Sequence, residues 1–185
     1  MIFDSRPCEL GEGPFWHPLR EQLFWFDILN RTLHSQSGGK AESRSFPDIV
    51  SAAGWIDRDT LLIASEAGLS ELNLATVDRK NVVAAGSPVT RSNDGRADRQ
   101  GGFWFGTMGK RAEKGAGAIW RWYRGEVRQV FVGITIPNAI SFTPDGRAAH
   151  FADTVTGRVM KVALDAQGWP SGSPAVWLDL SAEGL

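Results

Sequence analysis

Oxygen-bearing side chains occur at three separated places in this sequence, each beside glycine or proline. They are Glu12 in LGEGPFW, Asn93 and Asp94 in RSNDGRAD, and Asn138 in TIPNAISF. Carboxylate and amide oxygens, without Cys or His, suit a hard cation such as calcium or magnesium better than a soft one. If the fold brings these positions together, the sequence predicts an oxygen-ligated site for a divalent metal.

Each of these residues also has a purely structural interpretation. Asn93-Asp94-Gly95 is an ordinary turn sequence in which Gly95 would supply the positive φ angle, and Asn138 could simply bond a backbone group. Glu12 is harder to explain in this way, because a turn does not need a carboxylate between two glycines. The segment 143–146 (TPDG) is typical of a turn and is assigned no chemistry.

Several familiar catalytic sites are not represented in the sequence. It contains no G-x-S-x-G, no H-E-x-x-H, no P-loop and no dinucleotide-binding G-x-G-x-x-G pattern. The three histidines, His17, His34 and His150, are scattered and give no local support to a Ser-His-Asp triad. We expect them to be strand residues whose rings are hydrogen-bonded.

Length, charge and cysteine content set wider bounds. The 185 residues have a formal net charge of -1, which favours neither nucleic acid nor an anionic membrane as a partner. The single cysteine, Cys8, excludes an internal disulfide, and neither a signal peptide nor a membrane-length apolar run is visible. We therefore expect one cytoplasmic domain over residues 1–185 with no nucleic-acid or membrane partner.

A repeat of strands is the main signal for the fold. The sequence has 8 Trp, 10 Phe and 21 Gly, and short apolar or aromatic runs at 23–28, 61–65, 103–107 and 148–153 predict buried strands. A second, more alternating segment follows each run: RTLHSQS, GLSELNL, GAIWRWY and GRVMKVALD. The unit recurs at roughly 40–45 residues, which is typical of four-stranded propeller blades.

The predicted fold is therefore all-β, a partial β-propeller of about four blades with no helix and no second domain. The innermost strand of each blade lines the central channel of a propeller. Residues entering those strands converge at one mouth of the channel despite their separation in sequence. Glu12, Asn93 and Asn138 are predicted to meet in this way.

Taken together, these motifs resemble a known family. LGEGPFWHP with LFWFDI, RSNDGRAD with GGFWFGTMG, and IPNAISFTPDG with FADT are similar to the senescence-marker protein, gluconolactonase and luciferin-regenerating family that includes regucalcin. The resemblance implies a six-bladed propeller with one divalent metal in its channel that opens sugar lactones. It implies metal ligands at Glu12 and Asn138 and substrate-holding residues at Arg91 and Asn93. Asp94, Gly95 and Asp98 would shape the presenting loop, and Arg96 receives no role.

The resemblance also carries two departures. The family's further ligand, an Asp that acts as general acid or base, is expected beyond residue 185, so the chain is interpreted as C-terminally truncated. Where some relatives carry an acidic substrate-contacting residue, this chain has Lys110 and Arg111, with Glu113 nearby. Catalysis by residues 1–185 is therefore left open.

Two functions follow from the sequence. The first is metal-dependent hydrolysis of a sugar lactone, a small-molecule substrate, with activity doubtful and metal binding weak for residues 1–185 alone. The alternative is a non-catalytic propeller that binds calcium or a ligand. Calcium is the expected ion, with zinc, magnesium and manganese as alternatives. Exposed blade faces and edges also predict self-association.

Overall fold

Sixteen strands form four separate antiparallel sheets of four strands each in the computed structural model, which describes residues 2–181. In every sheet the strands lie side by side in chain order. The one helical element among the described residues is a 3₁₀ turn, Thr154–Thr156. None of the helical structure in this range is long and apolar enough to cross a membrane. The prediction of an all-β propeller with four blades is confirmed.

The strand bounds follow the same scheme in each blade. Blade 1 contains β1 (Gly11–His17), β2 (Gln22–Asp27), β3 (Thr32–Ser37) and β4 (Lys40–Ser45). Blade 2 contains β5 (Val50–Trp55), β6 (Thr60–Ser65), β7 (Gly68–Asn73) and β8 (Arg79–Ala84). Blade 3 contains β9 (Thr90–Ala97), β10 (Phe103–Gly109), β11 (Gly117–Tyr123) and β12 (Glu126–Ile134). Blade 4 contains β13 (Pro137–Phe142), β14 (Ala148–Asp153), β15 (Arg158–Ala163) and β16 (Ala175–Asp179).

The predicted apolar runs are the second strands of the blades, β2, β6, β10 and β14. They lie between two neighbouring strands of their own sheet, and every residue of β10 is buried. The alternating segments are the third strands, β3, β7, β11 and β15. The predicted turn at 143–146 also forms, because the amide of Gly146 donates to the carbonyl of Thr143 at 2.9 Å.

The core is divided into three layers that lie between successive blades. Phe24, Phe26 and Leu61 belong to the layer between blades 1 and 2. Phe103 and Phe105 pack against apolar residues of blade 2, and Trp104 packs against apolar residues of blade 4. Burying these apolar side chains stabilises the face-to-face packing of the blades.

The inner strands β1, β5, β9 and β13 also contact one another in series, and β1 touches β9. Their chain-order arrangement therefore places one end of each inner strand around a common centre.

Candidate metal and substrate site

Glu12 and Asn138 occupy the same structural position in blades 1 and 4. Each is the second residue of an inner strand, and each is followed at once by a β-bulge, where the inner strand carries one more residue than its partner. The residue after each also adopts the left-handed conformation, with φ of 59° at Gly13 and 57° at Ala139. Bulges re-aim side chains and are common beside active sites.

Gly13 explains part of the glycine-flanked Glu12 motif. Its φ is positive, and a Cβ at this position would collide with the backbone carbonyl oxygen of Ser51 in β5. Only glycine allows β1 and β5 to approach so closely here.

Two aspartates hold the segments that lead into β1 and β13. The Asp27 carboxylate accepts the amides of Glu9 and Leu10 at 3.0 and 3.1 Å. The Asp153 carboxylate accepts the amides of Thr135 and Ile136 at 2.8 and 3.0 Å.

Asp27 and Asp153 each end the second strand of their blade, so the same device positions Glu12 and Asn138. Sequence reasoning assigned neither aspartate a role, although an Asp closing both LFWFD and AHFAD was a usable signal.

A continuous arc of contacts joins the predicted site positions. Gly13 of β1 lies against Ser51 of β5, and the Ser51 hydroxyl donates to the Ser92 hydroxyl of β9 at 2.7 Å. The next residue, Asn93, donates from Nδ2 to the Pro137 carbonyl of β13 at 3.0 Å. Glu12, Asn93 and Asn138 therefore lie on one arc across four inner strands. Nothing in the local sequence marked Ser51 or Ser92 as part of it.

The side chains of Glu12 and Asn138 differ in their hydrogen bonds to the rest of the protein. Glu12 is partly buried, and within residues 2–181 its carboxylate has no hydrogen bond or ion pair. Asn138 is also partly buried, and its Oδ1 accepts the amide of Ala139 at 2.9 Å. Each oxygen therefore retains a lone pair for a ligand.

Arg91 and Asn93, the predicted substrate residues, lie in contact on β9. Arg91 is 8% exposed and donates from Nη1 to the Ser92 carbonyl at 2.9 Å and to Asn93 Oδ1 at 3.0 Å. No carboxylate of the described residues pairs with it, and burial lowers the pKa of its guanidinium. Arginine nevertheless remains protonated at neutral pH, so this is a buried cation without an anion beside it.

The turn interpretation of Asn93-Asp94-Gly95 is wrong, because all three residues lie inside β9 and Gly95 has no positive φ. Asp94 accepts the Ile140 amide of blade 4 on Oδ2 at 2.7 Å, and Arg96 donates from Nε to the Ile140 carbonyl at 2.9 Å. Both residues join two blades, so Asp94 does not shape a presenting loop. Asp98 does shape the next turn, since it accepts the amides of Gln100 and Gly102.

The basic residues after Gly-Thr-Met are ion-paired. Lys110 Nζ lies 2.6 Å from Glu66 Oε2 of blade 2, and Arg111 Nε lies 3.1 Å from Glu113 Oε1. This segment therefore carries two paired cations where some relatives were expected to carry a substrate-contacting acid.

A second group of metal-ligating residue types includes Asp27, which holds the segment that leads into β1. Ligand atoms of Cys8, Asp27 and His34 lie within 4.8 Å of one another. Asp27 already accepts two backbone amides and the Asn30 side chain, and Arg6 Nη1 lies 3.4 Å from His34 Nδ1. Asp27 and His34 therefore already have protein partners.

Comparison with known proteins gives consistent results. A relative from Rhizobium meliloti, provisionally named a sugar lactone lactonase, is 42% identical over 94% of this chain and 60% of its own length. The pentonolactonase XacC of Haloferax volcanii is 32% identical over 86% of this chain and 55% of its own length. This chain thus spans somewhat more than half the length of these relatives.

A solved structure from Agrobacterium tumefaciens, described as a calcium-binding protein, regucalcin, superposes with a TM-score of 0.93. It is 41% identical, and the match covers 96% of this chain and 62% of that one. Residues 10–184 match the family described as the SMP-30/Gluconolactonase/LRE-like region. The chain belongs to the SMP-30/gluconolactonase/LRE-like family.

Proposed function

We propose that this protein contributes the cation-binding and substrate-binding half of a sugar lactone hydrolase site. The observation that carries the proposal is the arc that joins Glu12, Asn93 and Asn138 at one end of the inner strands. Two relatives, one provisionally named a sugar lactone lactonase and the other named a pentonolactonase, support a sugar lactone as the substrate.

The residues fit a divalent metal. Glu12 offers a partly buried carboxylate with no other partner among the described residues, and Asn138 offers an amide oxygen at the equivalent position of another blade. An all-oxygen donor set favours calcium, with magnesium or manganese next and zinc last. The calcium-binding description of the Agrobacterium tumefaciens structure supports the same choice.

When bound, the ion would polarise the lactone carbonyl and stabilise the negative charge that develops on its oxygen. Glu12 and Asn138 would hold the ion at the channel. Arg91 and Asn93 would hold the sugar hydroxyls, and the contact between them fixes the direction of both donors before substrate arrives. The general base that takes a proton from the attacking water is expected beyond residue 185.

The proposal is tested by lactone hydrolysis in two polypeptides. One is residues 1–185, and the other continues these residues with the part of the Rhizobium meliloti relative that they do not match. Hydrolysis of glucono-1,5-lactone is followed by base consumption at constant pH, with calcium or with a chelator. We expect calcium-dependent turnover in the continued chain only, and its loss in Glu12→Gln and Asn138→Ala.

The proposal fails if the continued chain melts cooperatively but turns over no sugar lactone. It also fails if Glu12→Gln and Asn138→Ala retain full turnover. Calcium binding without turnover in the continued chain would favour the non-catalytic, calcium-binding alternative.

A further inference from the structure

Three side chains of β9 hold the backbone on both sides of Asn138. Asn93 donates to the Pro137 carbonyl at 3.0 Å, Asp94 accepts the Ile140 amide at 2.7 Å, and Arg96 donates to the Ile140 carbonyl at 2.9 Å. We call Asn93, Asp94 and Arg96 the inter-blade clamp. Its three inter-blade bonds all go to main-chain atoms of β13, so the clamp fixes the path of that strand.

The clamped segment has a conformation that it does not favour by itself. Ala139 adopts a φ of 57°, a left-handed conformation that is strained for a residue other than glycine. Strained residues of this kind persist where the surroundings determine them, and they are concentrated at functional sites. Here the surroundings are the two flanking residues, Pro137 and Ile140, that the inter-blade clamp holds.

The bonds of Asp94 and Arg96 are both charge-assisted, because each has one ionised partner, and the Asp94 bond is the shorter of the two at 2.7 Å. The other Asp94 oxygen, Oδ1, accepts the Gly95 amide at 2.8 Å. Both oxygens are therefore committed to backbone amides, which leaves Asp94 poorly placed to serve as a metal ligand in its own right.

We propose that Asp94 is a positioning residue for Asn138, holding the left-handed bulge that presents the Asn138 amide oxygen to the cation. This rests on the proposed function, in which Asn138 binds the ion. Mutating a residue that positions a metal ligand typically lowers metal affinity by about 10–100-fold. An Asp94→Ala variant is therefore expected to lose calcium affinity by about that factor although Asp94 does not touch the ion.

The matched control is Asp145→Ala. Asp145 also accepts a backbone amide, that of Arg147 at 3.0 Å, but it lies in the turn at the far end of β13 from Asn138. Asp94→Asn is the conservative variant, because its amide oxygen can still accept the Ile140 amide. We expect Asp145→Ala to bind calcium normally and Asp94→Asn to recover part of the affinity lost in Asp94→Ala.

The test combines two readouts on the purified protein. Amide hydrogen exchange without metal reports the clamp itself: exchange at Ile140 should accelerate in Asp94→Ala and not in Asp145→Ala. Calcium titration calorimetry then compares Asp94→Ala, Asn138→Ala and the double variant. If Asp94 acts through Asn138, Asp94→Ala should cause no further loss in the Asn138→Ala background.

The proposal is overturned if the two losses in calcium affinity add in full, or if Asp94→Ala binds calcium as tightly as the unmodified protein. Unchanged exchange at Ile140 would overturn the clamp. Failure of the proposed function looks different: the unmodified protein would bind no calcium, while Ile140 would still lose protection in Asp94→Ala.

Discussion

Single residues of the inner strands take their roles from the direction in which each side chain points. Arg91 and Asn93 contact each other within β9, while Asn93 and Asp94 also reach across to β13. Arg91 is thus a buried cation, Asn93 bonds a carbonyl of the next blade, and Asp94 accepts a backbone amide of that blade. The same three residues in an exposed turn would have none of these partners.

His17 gives a prediction at this scale. It is 0% exposed, its Nε2 lies 3.0 Å from the Asp57 carbonyl, and its Nδ1 has no hydrogen-bond partner. Burial, assisted by Arg20 and Arg58, lowers the pKa of His17 against the opposing effect of the Asp57 carbonyl. Folding therefore favours the neutral ring, in which the Nε2 proton is donated in a hydrogen bond to the Asp57 carbonyl.

The sign of the pH effect follows from proton uptake. Below about pH 6.5 the unfolded chain protonates His17 while the folded protein resists it, so the unfolded state binds more protons. The free energy of unfolding should consequently fall as the pH falls from 7.5 to 5.5. Urea denaturation of the protein and of His17→Gln, which keeps a donor for the Asp57 carbonyl, measures how much of this fall in the free energy of unfolding comes from His17. An identical pH dependence in both proteins would refute this assignment.

At the scale of elements, the connection between blades 3 and 4 depends on a buried ion pair. Asp98 and Arg121 both have side chains that are 0% exposed, and their nearest atoms lie 2.7 Å apart. Asp98 also accepts the Trp104 indole, while Arg121 donates to the Gln167 carbonyl between β15 and β16 and stacks on Trp169. The pair therefore ties β9, β10 and β11 to blade 4.

Breaking this pair should destabilise the fold strongly. Asp98→Asn leaves the Arg121 charge buried without a counter-charge, which typically costs about 3–5 kcal/mol. Glu126→Gln is the matched control, because Glu126 and Arg128 form an exposed pair in blade 3. Urea denaturation should show a large loss for Asp98→Asn and almost none for Glu126→Gln. Equal losses in the two variants would show that the buried pair is no more important to stability than the exposed one.

Elements differ in how much of them the sequence could predict. The second strands were predictable because β6 and β10 are apolar runs between turn residues. The outermost strands were not, because β4 (KAESRS) is polar and exposed and owes its conformation to pairing with β3. The bulges at Glu12 and Asn138 were also hidden, since contacts from other blades determine them. Asn93-Asp94-Gly95 was wrongly predicted to form a turn for the same reason, because its contacts with blade 4 are not visible in the local sequence.

At the scale of the whole molecule, the four blades form an arc whose end blades each have one face without a neighbouring blade among the described residues. Blade 4 exposes apolar side chains on β16, with Val176, Trp177 and Leu178 at 51%, 59% and 42% exposure. Exposed apolar side chains on the edge strand of a blade favour association.

Self-association is therefore expected to depend on β16. Sedimentation velocity should show weight-average mass rising with protein concentration, and Trp177→Lys should reduce that rise by removing apolar surface and adding a charge. Lys161→Arg, which changes a neighbouring residue of β15 without altering charge, is the control. A concentration-independent monomer would contradict the prediction.

We propose that Glu12 and Asn138, far apart in the chain, hold one divalent cation at the shared end of the inner strands. Calcium titration calorimetry of the unmodified protein, Glu12→Gln and Asn138→Ala tests it most directly. Glu21→Gln, an exposed glutamate beyond the other end of β1, is the control. We predict one calcium ion per chain, bound with affinity that Glu21→Gln preserves and the two site variants abolish or weaken at least about tenfold. Calcium binding that is unchanged in Glu12→Gln and Asn138→Ala would show that these two residues do not hold the ion.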